Sequence, residues 1–292
     1  MVVLALQLLT YTFMKLITTA KEMSDYSFST RSNDESIGFV PTMGALHLGH
    51  ISLIKAAKAK CDKVVVSVFV NPTQFNNPTD LQNYPRTFEL DRQLLESEGI
   101  DAMFFPSAEQ IYPATKPKHY EMDGLDERME GPNRPRHFDG VVQVVTRLFD
   151  LIQPNAAFFG EKDFQQLAII RHMTKKLGYN VEIAACLTER ESTGLAMSSR
   201  NVRLTDDGRR IASSINLILL EIKNQLALNL SASEILEQSI ASIMNLNGIT
   251  LEYLELVDPQ TLQPIKDDSD AIQACIAVYI EEVRLIDNMR VK

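Results

Sequence analysis

Residues 63–70 (KVVVSVFV) constrain this chain more than any other stretch of it. They are β-branched and nearly all apolar, so the strand they form must be covered on both faces, as in a parallel sheet lying between helices. Around them, strand and helix patterns alternate through the first two-thirds of the sequence. Strands are expected at residues 37–41, 102–105, 156–159 and 181–185, and helices at 51–61, 88–98, 141–152 and 163–177. In the first of these helices Ile51, Leu53 and Ile54 turn inward and Lys55, Lys58 and Lys60 outward, and Gly99 suits the C-cap of the second. This alternation implies a doubly wound α/β sheet of Rossmann-like type, whose ligands bind beyond the carboxyl ends of the strands.

After about residue 188 the pattern changes. Two helical stretches (206–228 and 232–246) precede two strand-like ones (Thr250–Val257 and 274–285), which suggests a smaller C-terminal α+β domain. The expected division is an N-terminal extension at 1–13 upstream of a start at Met14, a nucleotide-binding domain at 14–188 and the smaller domain at 189–292. Residues 1–9 are apolar, but Lys15 follows that run instead of preceding it, so the charged start of a signal peptide is missing, and the run is too short to span a bilayer.

With 292 residues, 45% of them hydrophobic, the chain can bury one large core or two moderate ones. Its formal net charge of -9 argues against a nucleic-acid-coating protein, which needs an excess of Lys and Arg. Cys61, Cys186 and Cys275 lie far apart with no CxxC spacing, as expected of unpaired thiols in a reducing compartment, and no zinc-type His/Cys spacing occurs.

Four junctions carry polar groups suited to chemistry. Residues 38–50 (GFVPTMGALHLGH) run from a strand through a glycine turn to a helix start, where unpaired backbone N–H groups suit a phosphate and His47 and His50 can donate to a phosphoryl oxygen. Residues 158–163 (FFGEKD) repeat the strand–glycine–helix design, with Lys162 as a phosphate-binding charge, Asp163 as helix cap or ribose acceptor, and Gln166 one turn further on. Residues 197–201 (MSSRN) bring two hydroxyls and a guanidinium, either as a simple turn or as a cover over a triphosphate. Residues 71–75 (NPTQF), followed by Tyr84-Pro85-Arg86, place Gln74 at the end of the buried strand as a donor and acceptor for a small polar substrate. A fifth segment, 131–138 (GPNRPRHF), reads equally as a gate or as a solvated loop within the long polar stretch 107–137, and His119, His137 and His172 read as surface or supporting residues.

Taken in order, PTMGALHxGH, FVNPTQF, YPRT, GPxRPxHFxGV, FFGEKDxQQL, GLAMSSRN and the terminal RLIDN closely resemble the pantoate–β-alanine ligase family from about Gly38 to Met289. The resemblance implies a nucleotidyltransferase domain of the HxGH type with a smaller C-terminal domain, in a cytoplasmic homodimer. It implies an ATP- and Mg²⁺-dependent ligase that joins pantoate to β-alanine through a pantoyl-adenylate, releasing AMP and pyrophosphate, with no nucleic-acid or membrane partner. By position, Met43, Gly44, Ala45, Leu46, His47, Leu48, Gly49 and His50 would bind ATP, with His50 catalytic and His47, Lys162 and Arg200 assisting it. Gly160, Glu161, Lys162, Asp163, Glu189, Met197, Ser198, Ser199 and Arg200 would complete the ATP site. Gln74 and Gln166 would hold pantoate, Asn71, Tyr84 and Arg200 would contact β-alanine, and Asp91 would correspond to a position linked to Mg²⁺. The sequence departs from the family pattern at Leu48, Arg136, Glu189 and Thr193. The rival readings are a nucleotidyltransferase acting on another acceptor and a nucleotide-binding protein without activity.

Overall fold

The computed structural model describes residues 14–112, 119–228, 230–266 and 269–292; the expected 1–13 extension lies outside them. The strands, in chain order, are β1 (Lys15–Ile17), β2 (Ile37–Thr42), β3 (Lys63–Val68), β4 (Ala102–Phe104), β5 (Ala156–Gly160), β6 (Glu182–Cys186), β7 (Thr250–Val257), β8 (Gln273–Ile280) and β9 (Val283–Arg290). The helices are α1 (Ala20–Ser32), α2 (Leu48–Lys60), α3 (Pro78–Asn83), α4 (Phe88–Ser97), α5 (Ala108–Ile111), α6 (Glu130–Asn133), α7 (His137–Ile152), α8 (Phe164–Lys176), α9 (Asp206–Ala212), α10 (Ser214–Ala227) and α11 (Ala232–Met244).

The first six strands form one sheet in the order β1-β4-β3-β2-β5-β6, with every pairing parallel. β3 shows why its sequence is apolar throughout. Val65 enters the core on the α1–α7–α8 side of the sheet, while Val64, Val66 and Val68 enter the core on the α2–α4 side. Successive side chains face opposite ways along a strand, and here both ways lead into protein. From β2 the chain winds outward through β3 to β4, then returns to the other side of β2 with β5 and β6. The winding therefore reverses between β2 and β5, which opens a crevice beyond their carboxyl ends.

The remaining strands form an antiparallel sheet, β7-β8-β9, with a core of its own made with α10 and α11. The two parts meet where Met129 packs with Val257, Leu262 and Cys275, alongside Phe164, Ala168 and Tyr253.

Four elements differ from the sequence-based expectation. The stretch 274–285 is a hairpin, not one strand: Ile280 pairs with Val283 around Glu281 and Glu282, and Glu281 adopts a left-handed φ of 55°. The apolar pattern resumes directly after these two residues and hides the turn. The expected helix 206–228 breaks at Ser213, where the Ser213 and Ser214 hydroxyls donate to the Arg210 and Ile211 carbonyls of the preceding turn. The polar stretch 107–137 contains two short helices, α5 and α6, with residues 113–118 outside the described set. β1 and α1 precede everything that the sequence pattern identified. β1 is only three residues long, but α1 carries a legible start signal, a capping box between Thr19 and Glu22.

Candidate active site

A cleft of about 220 Å³ opens at the carboxyl ends of the strands flanking the winding reversal. β2 supplies Thr42, Met43 and the start of α2 with His47, Gly49 and His50; β3 supplies Asn71 and Gln74; β5 supplies Gly160, Lys162, Asp163 and Gln166; and the segment after β6 supplies Leu187, Thr188 and Glu189. Met197, Ser198, Ser199 and Arg200 close one side together with Tyr84.

The turn after β2 is built to place the histidines. Gly44 and Ala45 both take left-handed conformations, at φ 82° and 49°. The carboxylate of Asp91, only 3% exposed, holds this turn by accepting from the Ala45 and Leu46 N–H groups at 2.9 and 2.8 Å and from the Thr87 hydroxyl at 3.2 Å. Asp91 therefore does not fit the expected role as a Mg²⁺ ligand: its oxygens face the backbone and it does not line the cleft. No cluster of three or more His, Cys, Asp or Glu residues suited to a metal occurs among the described residues.

His47 occupies the N-cap of α2, and its Nδ1 accepts from the Gly49 N–H at 3.1 Å. The His47 N–H in turn donates to Nδ1 of His50 at 3.2 Å. A ring nitrogen that accepts an amide proton carries none of its own, so each neutral imidazole must hold its proton on Nε2. Burial, reinforced in both cases by the Lys162 charge, brings the His47 pKa down to about 4 and the His50 pKa down to about 3, with His47 also opposing charge on His50. At neutral pH the pair is thus two uncharged Nε2–H donors with ring centres 4.1 Å apart. Gly49 permits the arrangement, because a Cβ there would lie 2.9 Å from the His47 ring.

At the end of β3, Asn71 is buried and fully engaged. Its Oδ1 accepts from Thr73 and from the Tyr112 hydroxyl, and its Nδ2 donates to Gln74 Oε1 and to the Gly140 carbonyl, both at 3.1 Å. Gln74 is left with Nε2 against Met43 Sδ at 3.2 Å. Sulfur is a weak acceptor, so this N–H can be redirected to an oxygen of a ligand. Beyond β5, the Lys162 segment is held by Asn288 of β9, whose Nδ2 donates to the Glu161 and Lys162 carbonyls at 2.9 and 2.8 Å. Asp287 beside it forms a two-point ion pair with Arg190, next in sequence to Glu189 in the cleft wall.

Arg200 lies 5.4 Å from the Tyr84 ring centre and donates through Nε and Nη2 to Asp80 of α3, which also pairs with Arg203 at 3.3 Å. The Ser199 hydroxyl donates to the Ala45 carbonyl at 3.0 Å, tying this segment to the histidine turn.

Of the residues singled out in the sequence, the cleft collects Met43, His47, Gly49, His50, Asn71, Gln74, Tyr84, Gly160, Lys162, Asp163, Gln166, Glu189, Met197, Ser198, Ser199 and Arg200. Gly44, Ala45, Leu46, Leu48 and Glu161 are not among its lining residues; Leu48 is 64% exposed, and Leu46 packs toward the α2 core. Val141, Val144, Val145 and Leu148 of α7, within the helix expected at 141–152, also form an apolar cleft wall. The supports Asp80, Asp287 and Asn288 are not legible in the sequence, because each acts on a residue distant in the chain.

The model of the family described as pantoate–β-alanine ligase matches residues 15–290. The pantothenate synthetase of Phocaeicola vulgatus is 48% identical over 284 residues, covering 96% of this chain and 100% of that protein. That of Porphyromonas gingivalis is 46% identical over 280 residues, covering 95% and 99%. Among solved structures, a pantothenate synthetase from Thermus thermophilus superposes with a TM-score of 0.89 at 39% identity, covering 95% of this chain and 99% of the other. A pantoate–β-alanine ligase from Francisella tularensis, complexed with β-γ ATP and β-alanine, superposes with a TM-score of 0.75 at 36% identity, covering 95% and 98%.

Proposed function

The chain belongs to the pantoate–β-alanine ligase family and is a ligase that joins pantoate to β-alanine; we propose that it does so at the cleft between β2 and β5, through a pantoyl-adenylate. A free carboxylate is a poor acyl donor. In this reading a pantoate carboxylate oxygen attacks the α-phosphorus of ATP, the bond to the β-phosphate oxygen breaks, and pyrophosphate leaves. Negative charge grows on the α-phosphoryl oxygens during that step. Two neutral Nε2–H donors together with the Lys162 and Arg200 cations offset it without themselves giving up charge. The pair of fixed imidazole donors beside Lys162 is the observation that carries this assignment.

Gln74 and Gln166 are the proposed pantoate contacts, and Gly160, Lys162, Asp163, Glu189 and the 197–200 segment the proposed walls of the ATP site. Glu189 is exposed at the rim, which fits a nucleotide base held there by backbone groups with the carboxylate turned to solvent. In the second step the uncharged amine of β-alanine attacks the acyl carbon, AMP departs with the bonding pair, and the amine's proton passes to solvent or AMP. Asn71, with every polar atom engaged, would shape this subsite by holding Gln74, while Tyr84 and Arg200 would face the amino acid. The expected Mg²⁺ does not fit Asp91, whose oxygens are taken by the Ala45 and Leu46 N–H groups.

The separation of the C-terminal core from the two cores that flank the parallel sheet supports a division near residue 188 into a nucleotide-binding part and a smaller C-terminal part. A cytoplasmic homodimer is the reading that the family resemblance supports; among the described residues no helix is long and apolar enough to cross a membrane. The test is AMP release with ATP, pantoate and β-alanine, omitting each in turn, alongside pantoate-dependent exchange of pyrophosphate into ATP. His50→Ala should slow that exchange by about two to three powers of ten. Exchange that ignores pantoate, or near-normal exchange by a folded His50→Ala protein, would refute the assignment.

A further inference from the structure

The segment 131–138, which reads in the sequence as either a gate or a solvated loop, carries a buried histidine just before its end. His137 is 5% exposed, and its Nδ1 lies 2.7 Å from the main-chain carbonyl oxygen of Gln74. A carbonyl can only accept, so Nδ1 carries the proton. This is the tautomer opposite to that of His47 and His50, and it makes His137 a donor aimed at the backbone of a cleft residue. Arg134 Nη2 donates to the same carbonyl at 3.4 Å, and Arg134 is itself held at 3.3 Å by Glu130.

The first turn of α7 is also shaped to the 3₁₀ turn Pro72–Gln74. A Cβ at Gly140 would lie 2.5 Å from the Thr73 carbonyl oxygen and 2.8 Å from the Gln74 nitrogen, so only glycine allows the approach. The Gly140 carbonyl accepts from Asn71 Nδ2, the atom that also orients Gln74 Oε1. Main chain and side chain of Gln74 are thus fixed from the same helix start.

We propose that His137 is a positioning residue for pantoate recognition, holding the Gln74 main chain so that its side-chain amide faces the cleft. The inference rests on the reading that Gln74 contacts pantoate. His137 touches no reacting atom; it acts by removing rotational freedom from the turn, and a misplaced contact costs binding and rate out of proportion to the displacement.

Asparagine and glutamine separate this role from simple core packing. Asparagine at 137 can present an N–H near the position of Nδ1, whereas glutamine presents one further out, near Nε2, and leaves the Gln74 carbonyl without it. Steady-state kinetics should show His137→Asn within about threefold of the parent in KM for pantoate, and His137→Gln raised roughly tenfold, with KM for ATP unchanged in both, as expected for loss of about one hydrogen bond. Gln74→Ala is measured beside them. If Gln74→Ala raises KM for pantoate while the two His137 variants behave alike, or if KM for ATP moves equally, the positioning role is overturned. If Gln74→Ala leaves KM for pantoate unchanged, the assignment of Gln74 itself falls, and the role of His137 with it.

Discussion

Replacing Asp91 by asparagine separates two roles for one carboxylate. In the structure its oxygens accept two backbone N–H bonds, from Ala45 and Leu46, and one hydroxyl bond from Thr87. Bonds to a charged acceptor contribute roughly 1.5–3 kcal/mol each. Asparagine keeps one accepting oxygen but turns an NH₂ group toward the other amide, leaving a buried donor unpaired at a further cost of about 1–3 kcal/mol. A net loss of about 3 kcal/mol is expected, which for a protein of this size lowers Tm by roughly 5 °C. The turn that delivers His47 and His50 loosens as well, so the exchange rate should fall with stability. Thermal unfolding followed by circular dichroism, at low and at tenfold higher Mg²⁺, gives the measurement. A metal-ligand role predicts instead a protein of unchanged Tm whose activity recovers as Mg²⁺ is raised. That outcome would refute the assignment of Asp91 to the turn.

Two further outcomes follow from charge. His47, His50 and His137 have pKa values brought down to about 4, 3 and 3, with burial the largest cause in each. Below an unfolded value near 6.5 the unfolded chain takes up protons that the folded chain refuses, so stability falls as pH drops from about 6.5 toward 4. His137 alone should account for about 2 kcal/mol by pH 5, from about 1.5 pH units at about 1.4 kcal/mol each. A Tm that stays level from pH 7 to pH 5, or imidazole resonances titrating near 6.5, would contradict the burial argument. Asp80→Asn removes the anion between Arg200 and Arg203. It should tighten ATP and pyrophosphate binding roughly fivefold at low ionic strength, with the gain lost in high salt. Weaker nucleotide binding at every salt concentration would show that Asp80 matters chiefly for holding Arg200 in place.

Much of the sheet could be read from the sequence because β3 announces burial on both faces and the neighbouring strands end in Gly, Pro or Asn. Those endings also gave away most of the cleft, since in a parallel sheet the functional side chains collect where strands stop. The β8–β9 hairpin escaped because Glu281 and Glu282 interrupt an apolar pattern too briefly to look like a turn. Asp91 illustrates a different limit. A carboxylate near a phosphate site suggests a cation, and only the folded chain reveals that two amides of a left-handed turn have already claimed it. Histidine tautomers are likewise invisible in a sequence: His50 and His137 are the same residue type, and opposite protons follow from an amide facing one ring and a carbonyl facing the other.

The bonds from Asn288 to the Lys162 segment and from Asp287 to Arg190 set an order of assembly. Both residues lie on β9, the last strand in chain order. Domains fold as they are synthesised, beginning from the N-terminus, and the β2–α2 junction bearing the histidines leaves the ribosome long before β9 exists. Until β9 has been made, the Lys162 segment and the Glu189–Arg190 wall lack their braces. A nascent chain can therefore own a folded parallel sheet around an unbraced cleft, and a message cut short within β9 would yield a protein with its histidines in place and no fixed wall of Lys162 and Arg190 opposite them.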